Sequence, residues 1–282
     1  MISIVIATRN RQELLYSLLL HLDKIQSEET QIIIVDSSDL SITHLPIYNN
    51  IQIEYIHTQI KSAAIQRNLG IEKIRNQTDF LFFLDDDTFP RPDYFSRLTK
   101  ILVEPGVVGV SGLALNPKSH FLRQKPTGWI GLIYRLFLLD SLKDGKLLKS
   151  AINVPCRNYQ GTQVDAEWLI GCSGWKFEVV QKTRFENDFY GASLAEDVIF
   201  SYRMSLKGRL VVDPSVILDH FEDKLGRPNE SEFWKMWMVN RYRLIKIANW
   251  GVRGFLAFWW ASFGQMFIHL ISGLKKQEYS LN

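Results

Sequence analysis

The chain carries only two cysteines, Cys156 and Cys172, in 282 residues. Two thiols cannot build a disulfide framework, and this pair lacks the spacing of a metal site. They fit a reducing compartment, as packing side chains. Net charge is equally scarce: the formal value of +3 is too small for the basic footprint of a nucleic-acid-binding protein. No basic segment precedes the first apolar run, Ile2 to Ala7, and that run is too short for a secretory signal with its cleavage site. The protein is therefore expected to stay in the cytoplasm where it is made. Low-complexity linkers and internal repeats are missing as well. A composition of 46% hydrophobic and 22% charged residues is that of a folded, globular chain.

What is present begins with that run, which reads as a strand covered on both faces. Asn10 follows as a helix cap, with Glu13 as its capping-box partner, and Leu14, Leu15, Leu18, Leu19 and Leu22 form an apolar stripe. Strands are predicted over Ile32 to Val35, Ile51 to Ile56 and Phe80 to Leu84, with a helix over Ser62 to Ile74 that Gly70 weakens. This order implies an open, mainly parallel α/β sheet. Such sheets bind ligands at the carboxyl ends of their strands. Three polar clusters fall at those ends: Thr8 to Asn10, Asp36 to Asp39, and Asp85 to Asp87.

The last cluster carries the most chemistry. If the backbone stays extended, Asp85 and Asp87 share a face while Asp86 points away. Side-by-side carboxylates repel unless a cation lies between them. A hard divalent ion, Mg2+ or Mn2+, takes one or two carboxylates and completes its shell with phosphate oxygens. That arrangement suits a nucleotide diphosphate.

Later elements are a helix over Pro92 to Val103, a strand over Val107 to Leu113, a helix over Glu196 to Leu206, a strand over Leu210 to Val212, and a helix over Ser231 to Asn249. Eight Lys or Arg and two acids lie between Lys118 and Arg157, around the apolar stretch Trp129 to Leu142. Phe255 to Leu274 has no Lys, Arg, Asp or Glu, and as a helix spans about 30 Å, the thickness of bilayer hydrocarbon. Ser262, Gln265, His269 and Ser272 form a polar stripe along it. A polar stripe favours a helix lying in the membrane interface, with spanning or packing on the protein as the alternatives.

Five motifs, Ile4-Val5-Ile6-Ala7-Thr8-Arg9-Asn10-Arg11, Ile34-Val35-Asp36-Ser37-Ser38, Arg67-Asn68-Leu69-Gly70, Leu84-Asp85-Asp86-Asp87 and Glu196-Asp197, occur in one order over about residues 2 to 220. In these motifs the sequence resembles glycosyltransferase family 2, whose members have the GT-A fold and a DxD motif. The resemblance implies a Rossmann-like α/β domain over residues 1–225. About 1–115 would form its nucleotide-binding half and 116–225 its acceptor half, with 226–282 as an amphipathic helical, membrane-associating extension. It further implies that Thr8, Arg9, Asn10, Asp36, Arg67, Asn68, Asp85 and Asp86 bind the donor, that Asp87 and His220 hold the metal, and that Asp197 is the catalytic base. Gly174, Trp175 and Glu196 would meet the acceptor, with Lys176 as a basic residue close by. The position of Asp197 at a helix start suits an ionised base.

The expected activity is inverting transfer of one sugar from a nucleotide-diphosphate donor to a hydroxyl of a glycan or lipid-linked acceptor. Neither the Gln-x-x-Arg-Trp motif nor the several membrane helices of the family's processive synthases occur here. The expected location is peripheral, on the inner face of the cell membrane, in cell-surface polysaccharide or glycolipid synthesis. Two alternatives stay open: a sugar-phosphate nucleotidyltransferase, and a non-catalytic, membrane-associated nucleotide-binding protein. The former normally carries a glycine-rich basic loop after its first strand, and Thr8-Arg9-Asn10-Arg11 is not one.

Overall fold

The computed structural model describes residues 1–26, 30–117, 125–157, 161–189, 193–221 and 229–279, with 272–279 as backbone alone. The apolar runs form a parallel core: β1 (Ile2–Thr8) pairs with β2 (Thr30–Asp36) and with β4 (Phe80–Asp85), and β2 pairs with β3 (Ile51–His57). Helices α1 (Gln12–Ile25) and α2 (Ala63–Glu72) connect them. Leu15, Leu18, Leu19 and Leu22 of α1 are buried, as the stripe predicts, whereas Leu14 is not among its buried residues. Ser62 caps α2 by accepting from the Ile65 amide. Gly70 lets α2 approach the sheet, because a Cβ there would lie 2.4 Å from a Val5 methyl carbon. The residue that lowers helix propensity is thus the one that permits the contact.

Asn10 is not the cap of α1. It takes φ +54°, donates from Nδ2 to Asp39 Oδ2 at 2.9 Å and accepts from the Asp39 amide at 3.0 Å. The helix begins two residues later without a side-chain cap. Asn10 therefore ties the ends of β1 and β2 together.

Beyond β4 the sheet continues through two strands that the sequence marks in part, at Val107 to Leu113 and Leu210 to Val212, and through three short ones that it does not. These are β5 (Thr88–Pro90), β6 (Val107–Leu115), β7 (Val164–Ala166), β8 (Gly174–Lys176) and β9 (Arg209–His220). The order is β3-β2-β1-β4-β8-β6-β9-β5, with β7 paired to β9. Helix α3 (Tyr94–Leu102) follows β5, and α4 (Gly128–Leu136) forms within the apolar part of the basic region. The short α5 (Phe177–Val180), then α6 (Glu196–Ser205), α7 (Glu230–Ile247) and α8 (Gly251–Tyr279) complete the chain. Asn229 and Glu232 form a capping box at the start of α7. Both expected halves share one sheet, since β8 runs antiparallel between β4 and β6.

That insertion corrects the acceptor assignment of Gly174 and Trp175. They lie in β8, not in a loop. Trp175 is 1% exposed; its ring covers Gly109 of β6, and its Nε1 donates to Ser173 Oγ at 2.9 Å. A Cβ on Gly174 would stand 2.3 Å from Phe82 of β4. Lys176 reaches the Glu104 carbonyl at 3.5 Å. We expect Gly174→Ala to destabilise the fold by about 1–3 kcal/mol, because Phe82 must leave its place in a close-packed core. Thermal unfolding should show a fall in Tm of several degrees; an unchanged Tm would mean that β4 and β8 can part without cost.

Candidate active site

The ends of β1, β2 and β4 meet the start of α6, and two arginines organise the acids gathered there. Arg67, on α2, is 3% exposed. Its guanidinium donates to Asp85 at 2.8 Å and to Glu196 through a short contact, so the tip of β4 is joined to the start of α6. The rings of Phe83 and Phe185 lie 6.0 and 5.6 Å from the guanidinium carbon. Burial alone would pull the Arg67 pKa down, but Glu196, Asp85 and Asp197 outweigh it and hold the group above its ordinary value. It is a permanent cation that protein carboxylates already neutralise, at a position that the resemblance gives to donor binding.

Glu196 and Asp197 begin α6 after two residues of positive φ, Ser193 at +50° and Ala195 at +69°. Non-glycine residues adopt this conformation rarely, and mostly at constrained, functional positions. The loop is held from both sides. Ser193 Oγ accepts from the Ala64 amide at 3.3 Å, and Asn240 of α7 donates to the Leu194 carbonyl at 2.7 Å. Burial pushes Glu196 well above the usual carboxylate range against the pull of Arg67. Asp197 is raised in the same direction, again by burial and again opposed by Arg67. With Asp85 beside them, these acids share one guanidinium, which favours proton uptake by the pair. Glu196 is buried, whereas Asp197 is only half-buried.

The second arginine, Arg11, lies just before α1. It donates to Asp86 at 2.8 Å and to Asp87 at 3.3 Å. Thr8 adds a hydrogen bond to Asp86 at 2.7 Å. Asp86 is 3% exposed; burial raises its pKa to about 6, offset in part by Arg11 and Thr8. The expectation that Asp85 and Asp87 share a face is not met. Pairing in β4 ends at Asp85, and Asp86 and Asp87 form the turn into β5, so strand alternation stops one residue too early. Asp85 keeps Arg67, and Asp87 turns towards Arg11 and His220.

His220 does arrive at this point. Pairing of β5 with β9 sets Thr88 opposite His220, and His220 Nε2 lies 3.2 Å from Asp87 Oδ1. One carboxylate and one imidazole form a donor set that accepts Mn2+ or Mg2+ when phosphate oxygens supply the remaining ligands. Among the described residues no group of three or more His, Cys, Asp or Glu could hold a metal without such help.

Two further expected site residues take other roles, and Arg9 keeps an uncommitted nitrogen. Asp36 is 0% exposed; Oδ1 accepts from the Ser38 amide at 2.8 Å and from its hydroxyl, and Oδ2 accepts from Tyr55 at 2.8 Å. It braces the loop after β2 and presents no open carboxylate to a base or ribose. Asn68 exchanges hydrogen bonds with the Phe185 backbone, 2.9 Å in each direction, and donates to Asn187. It fastens the 185–187 segment. Arg9 lies 3.9 Å from Asp39, and its Nε is buried without a hydrogen-bond partner.

Sequence reasoning missed Arg11 and Gln66. Gln66 Nε2 donates to the carbonyls of Thr8 and Val35 at 2.8 and 2.7 Å, joining the strand ends beneath the site. The signal for Arg11 was a cation at the tip of β1 with three acids at the tip of its sheet neighbour. No periodic signal marks Gln66.

Comparison with known proteins agrees with this architecture. The family description "Glycosyl transferase family 2" matches residues 3–161, more than half of the chain. Among solved structures, Staphylococcus aureus TarS 1-349 in complex with UDP-GlcNAc is 15% identical with a TM-score of 0.52, over 86% of this chain and 66% of that one. GalNAc-T7 with UDP, GalNAc and Mn2+ has a TM-score of 0.60 at 13% identity, over 87% of this chain and 47% of that one. The mannosyltransferase PcManGT from Pyrobaculum calidifontis, in complex with GDP-Man and Mn2+, has a TM-score of 0.55 at 14% identity. It is matched over 99% of this chain and 79% of its own. This chain thus spans about two thirds or less of the TarS and GalNAc-T7 chains. No curated protein matches in sequence. The family match sets aside the nucleotidyltransferase alternative: the chain belongs to glycosyl transferase family 2 and has the GT-A fold.

Proposed function

We propose that the protein transfers a single sugar, with inversion, from a nucleotide-diphosphate donor to a hydroxyl of a glycan or lipid-linked acceptor. The setting is cell-surface polysaccharide or glycolipid synthesis at the cytoplasmic face of the cell membrane. The observation that carries this reading is the Arg67 bridge, which holds the strand-tip acids beside the Glu196-Asp197 pair. The nucleotide sugars named with TarS and PcManGT support the donor class.

The residues divide the work as follows. Thr8, Arg9 and Asn10 form the edge of the donor pocket, where the unpartnered Nε of Arg9 offers a hydrogen bond to an anion. Asp85 faces the ribose or the sugar, its side chain being 40% exposed. Asp86 keeps Thr8 and Arg11 in register. Asp87 and His220 would hold Mn2+ or Mg2+. The ion's contribution is to spread the charge that develops on the departing diphosphate. Asp197 accepts the proton of the acceptor hydroxyl as its oxygen attacks the anomeric carbon from the side opposite the leaving group. The helix dipole of α6 and the nearby Arg67 favour its ionised form. Glu196 positions Arg67.

Asp87→Ala should weaken Mn2+-assisted nucleotide binding by roughly tenfold or more, read by calorimetric titration. Asp197→Asn should retain that binding while transfer falls by about 10²–10⁴-fold. Native affinity in the Asp87 variant, or undiminished turnover in the Asp197 variant, would remove the corresponding role. A screen of nucleotide sugars with Mn2+, scoring slow donor hydrolysis, needs no knowledge of the acceptor.

A pH profile tests the base separately. Asp197 works only when ionised, and burial holds its pKa above the usual aspartate range. Transfer should therefore be lost as pH falls through that raised value and be fully present above it. Nucleotide binding measured at each pH serves as the control. A rate that stays flat into the ordinary carboxylate range would assign the base elsewhere.

A further inference from the structure

The C-terminal helix α8 is long and apolar enough from Gly251 to Ile271 to cross a membrane. Its packing tells a different story. Gly254, Ala257, Phe258, Ala261 and Gly264 are buried, at spacings of three and four that mark one face lying on the protein. Two members of the polar stripe, Ser262 and Gln265, are half-buried towards α7, while His269 is exposed. Ser262 meets Met238 of α7, Gln265 accepts from Arg241 at 2.9 Å, and the His269 ring lies 6.4 Å from Trp234. Ser272, and the flanking Lys275 and Lys276, lie outside the described side chains. With Ser262 and Gln265 turned to α7, the rest of the outward face of α8 is apolar: Leu256, Trp259, Phe263, Met266 and Leu270 are all exposed, and Trp259, Phe263 and Met266 also line the groove that α8 forms with Trp234 and Met238 of α7.

A second element joins that face. Phe137, at the end of α4, fills the notch at Gly264, where a Cβ would stand 2.3 Å from its ring. Trp260 Nε1 donates to the Leu136 carbonyl at 2.7 Å. Within α4 only Gly131 is buried; Trp129 is 83% exposed, and Ile130, Leu132 and Leu136 are exposed with it. Two apolar stretches more than a hundred residues apart in sequence thus form one surface. Large exposed apolar side chains gathered on one surface mark an interaction site.

We propose that α4 and the outward face of α8 form a single docking surface that lays the protein on an anionic bilayer, with α8 in the plane of the interface and not across it. This deepens the membrane location in the reading above and rests on it. A spanning α8 would have to leave the body along its whole buried face. It would also draw α7 into hydrocarbon, and α7 runs back along it with Glu230, Glu232 and Lys235 exposed. A bilayer fits better than a second copy because of charge. Lys143, Lys149, Lys246 and Arg253 are exposed around these elements. Lys149 stands 4.5 Å from the Trp250 ring and Lys246 4.8 Å from that of Tyr242. Cations set beside amphipathic rings match the headgroup level of a bilayer. In a two-fold pair of chains the same cations would confront one another. Residues 118–124 of the basic region lie outside the described residues.

The test is co-sedimentation of the full chain with phosphatidylglycerol–phosphatidylcholine vesicles and with pure phosphatidylcholine vesicles. Native protein should prefer the anionic vesicles and be released by alkaline carbonate. The double variant Trp129→Glu/Leu132→Glu, with α8 intact, should bind roughly tenfold or more weakly. Phe263→Glu should do the same. Circular dichroism and donor hydrolysis without vesicles should stay at native levels in both variants, which separates this proposal from the catalytic one. Native binding by the α4 variant, resistance to carbonate, or a vesicle-indifferent dimer in solution would each overturn it.

Discussion

The buried guanidinium of Arg67 and the carboxylates that neutralise it organise the candidate catalytic end of this protein. Arg67 is carried into the interior by α2, which lies close on β1 because Gly70 has no side chain. Once there, it must be met by charge or it would cost several kcal/mol. Asp85 and Glu196 meet it. One belongs to the tip of the fourth strand and the other to a helix more than a hundred residues later, so a single ion-pair network fixes the distance between donor-side acids and the candidate base. Phe83 and Phe185 cover it and keep water from weakening the attraction.

The same logic explains why the aspartate triplet divides. Three adjacent carboxylates cannot share one environment without a counter-charge for each part of the cluster. Arg67 takes Asp85. Arg11 takes Asp86 and touches Asp87, and His220 approaches the other oxygen of Asp87. The turn after Asp85 is what allows it, because a continued strand would have aligned Asp85 with Asp87 and sent Asp86 to the opposite face. Asp86, the middle residue, is therefore the most fully engaged of the three: a threonine and an arginine bind it, and its pKa is pushed up to about 6 by burial.

Much of this was legible in the sequence where burial is continuous. Ile2 to Ala7, Ile32 to Val35 and Phe80 to Leu84 are unbroken apolar runs because parallel strands are covered on both faces, and each is a strand within a residue or two of its expected bounds. The three-residue strands β5, β7 and β8 carry no period long enough to detect. Trp175 illustrates the cost. Alone, a tryptophan near a glycine suggests a sugar platform, but here it fills the space above Gly109. Asp36 and Asn68 misled for a related reason: motif position says that a polar side chain stands at the right strand or helix, not which way its hydrogen bonds go. Asp36 accepts from Ser38 and Tyr55, and Asn68 exchanges hydrogen bonds with the Phe185 backbone and donates to Asn187.

The polar stripe on α8 has its explanation in α7. Arg241 is 1% exposed and, among the described residues, is paired with no carboxylate; burial lowers its pKa to about 10. Its hydrogen bonds go to Gln265 at 2.9 Å and to the Ser150 carbonyl at 2.8 Å, with Trp237 and Phe258 against its faces. A helix buried against such a cation needs an acceptor at that height, and Gln265 supplies it. Ser262 and Gln265, which read in the sequence as part of the polar stripe of an interfacial helix, thus lie at the seam of a helical hairpin. Every polar group committed to the seam is one that the opposite face of α8 lacks, so a buried arginine leaves that face apolar. One residue before it, Asn240 holds the Leu194 carbonyl at the entrance to Glu196 and Asp197. The segment of α7 that packs on α8 therefore also anchors the backbone before the proposed base.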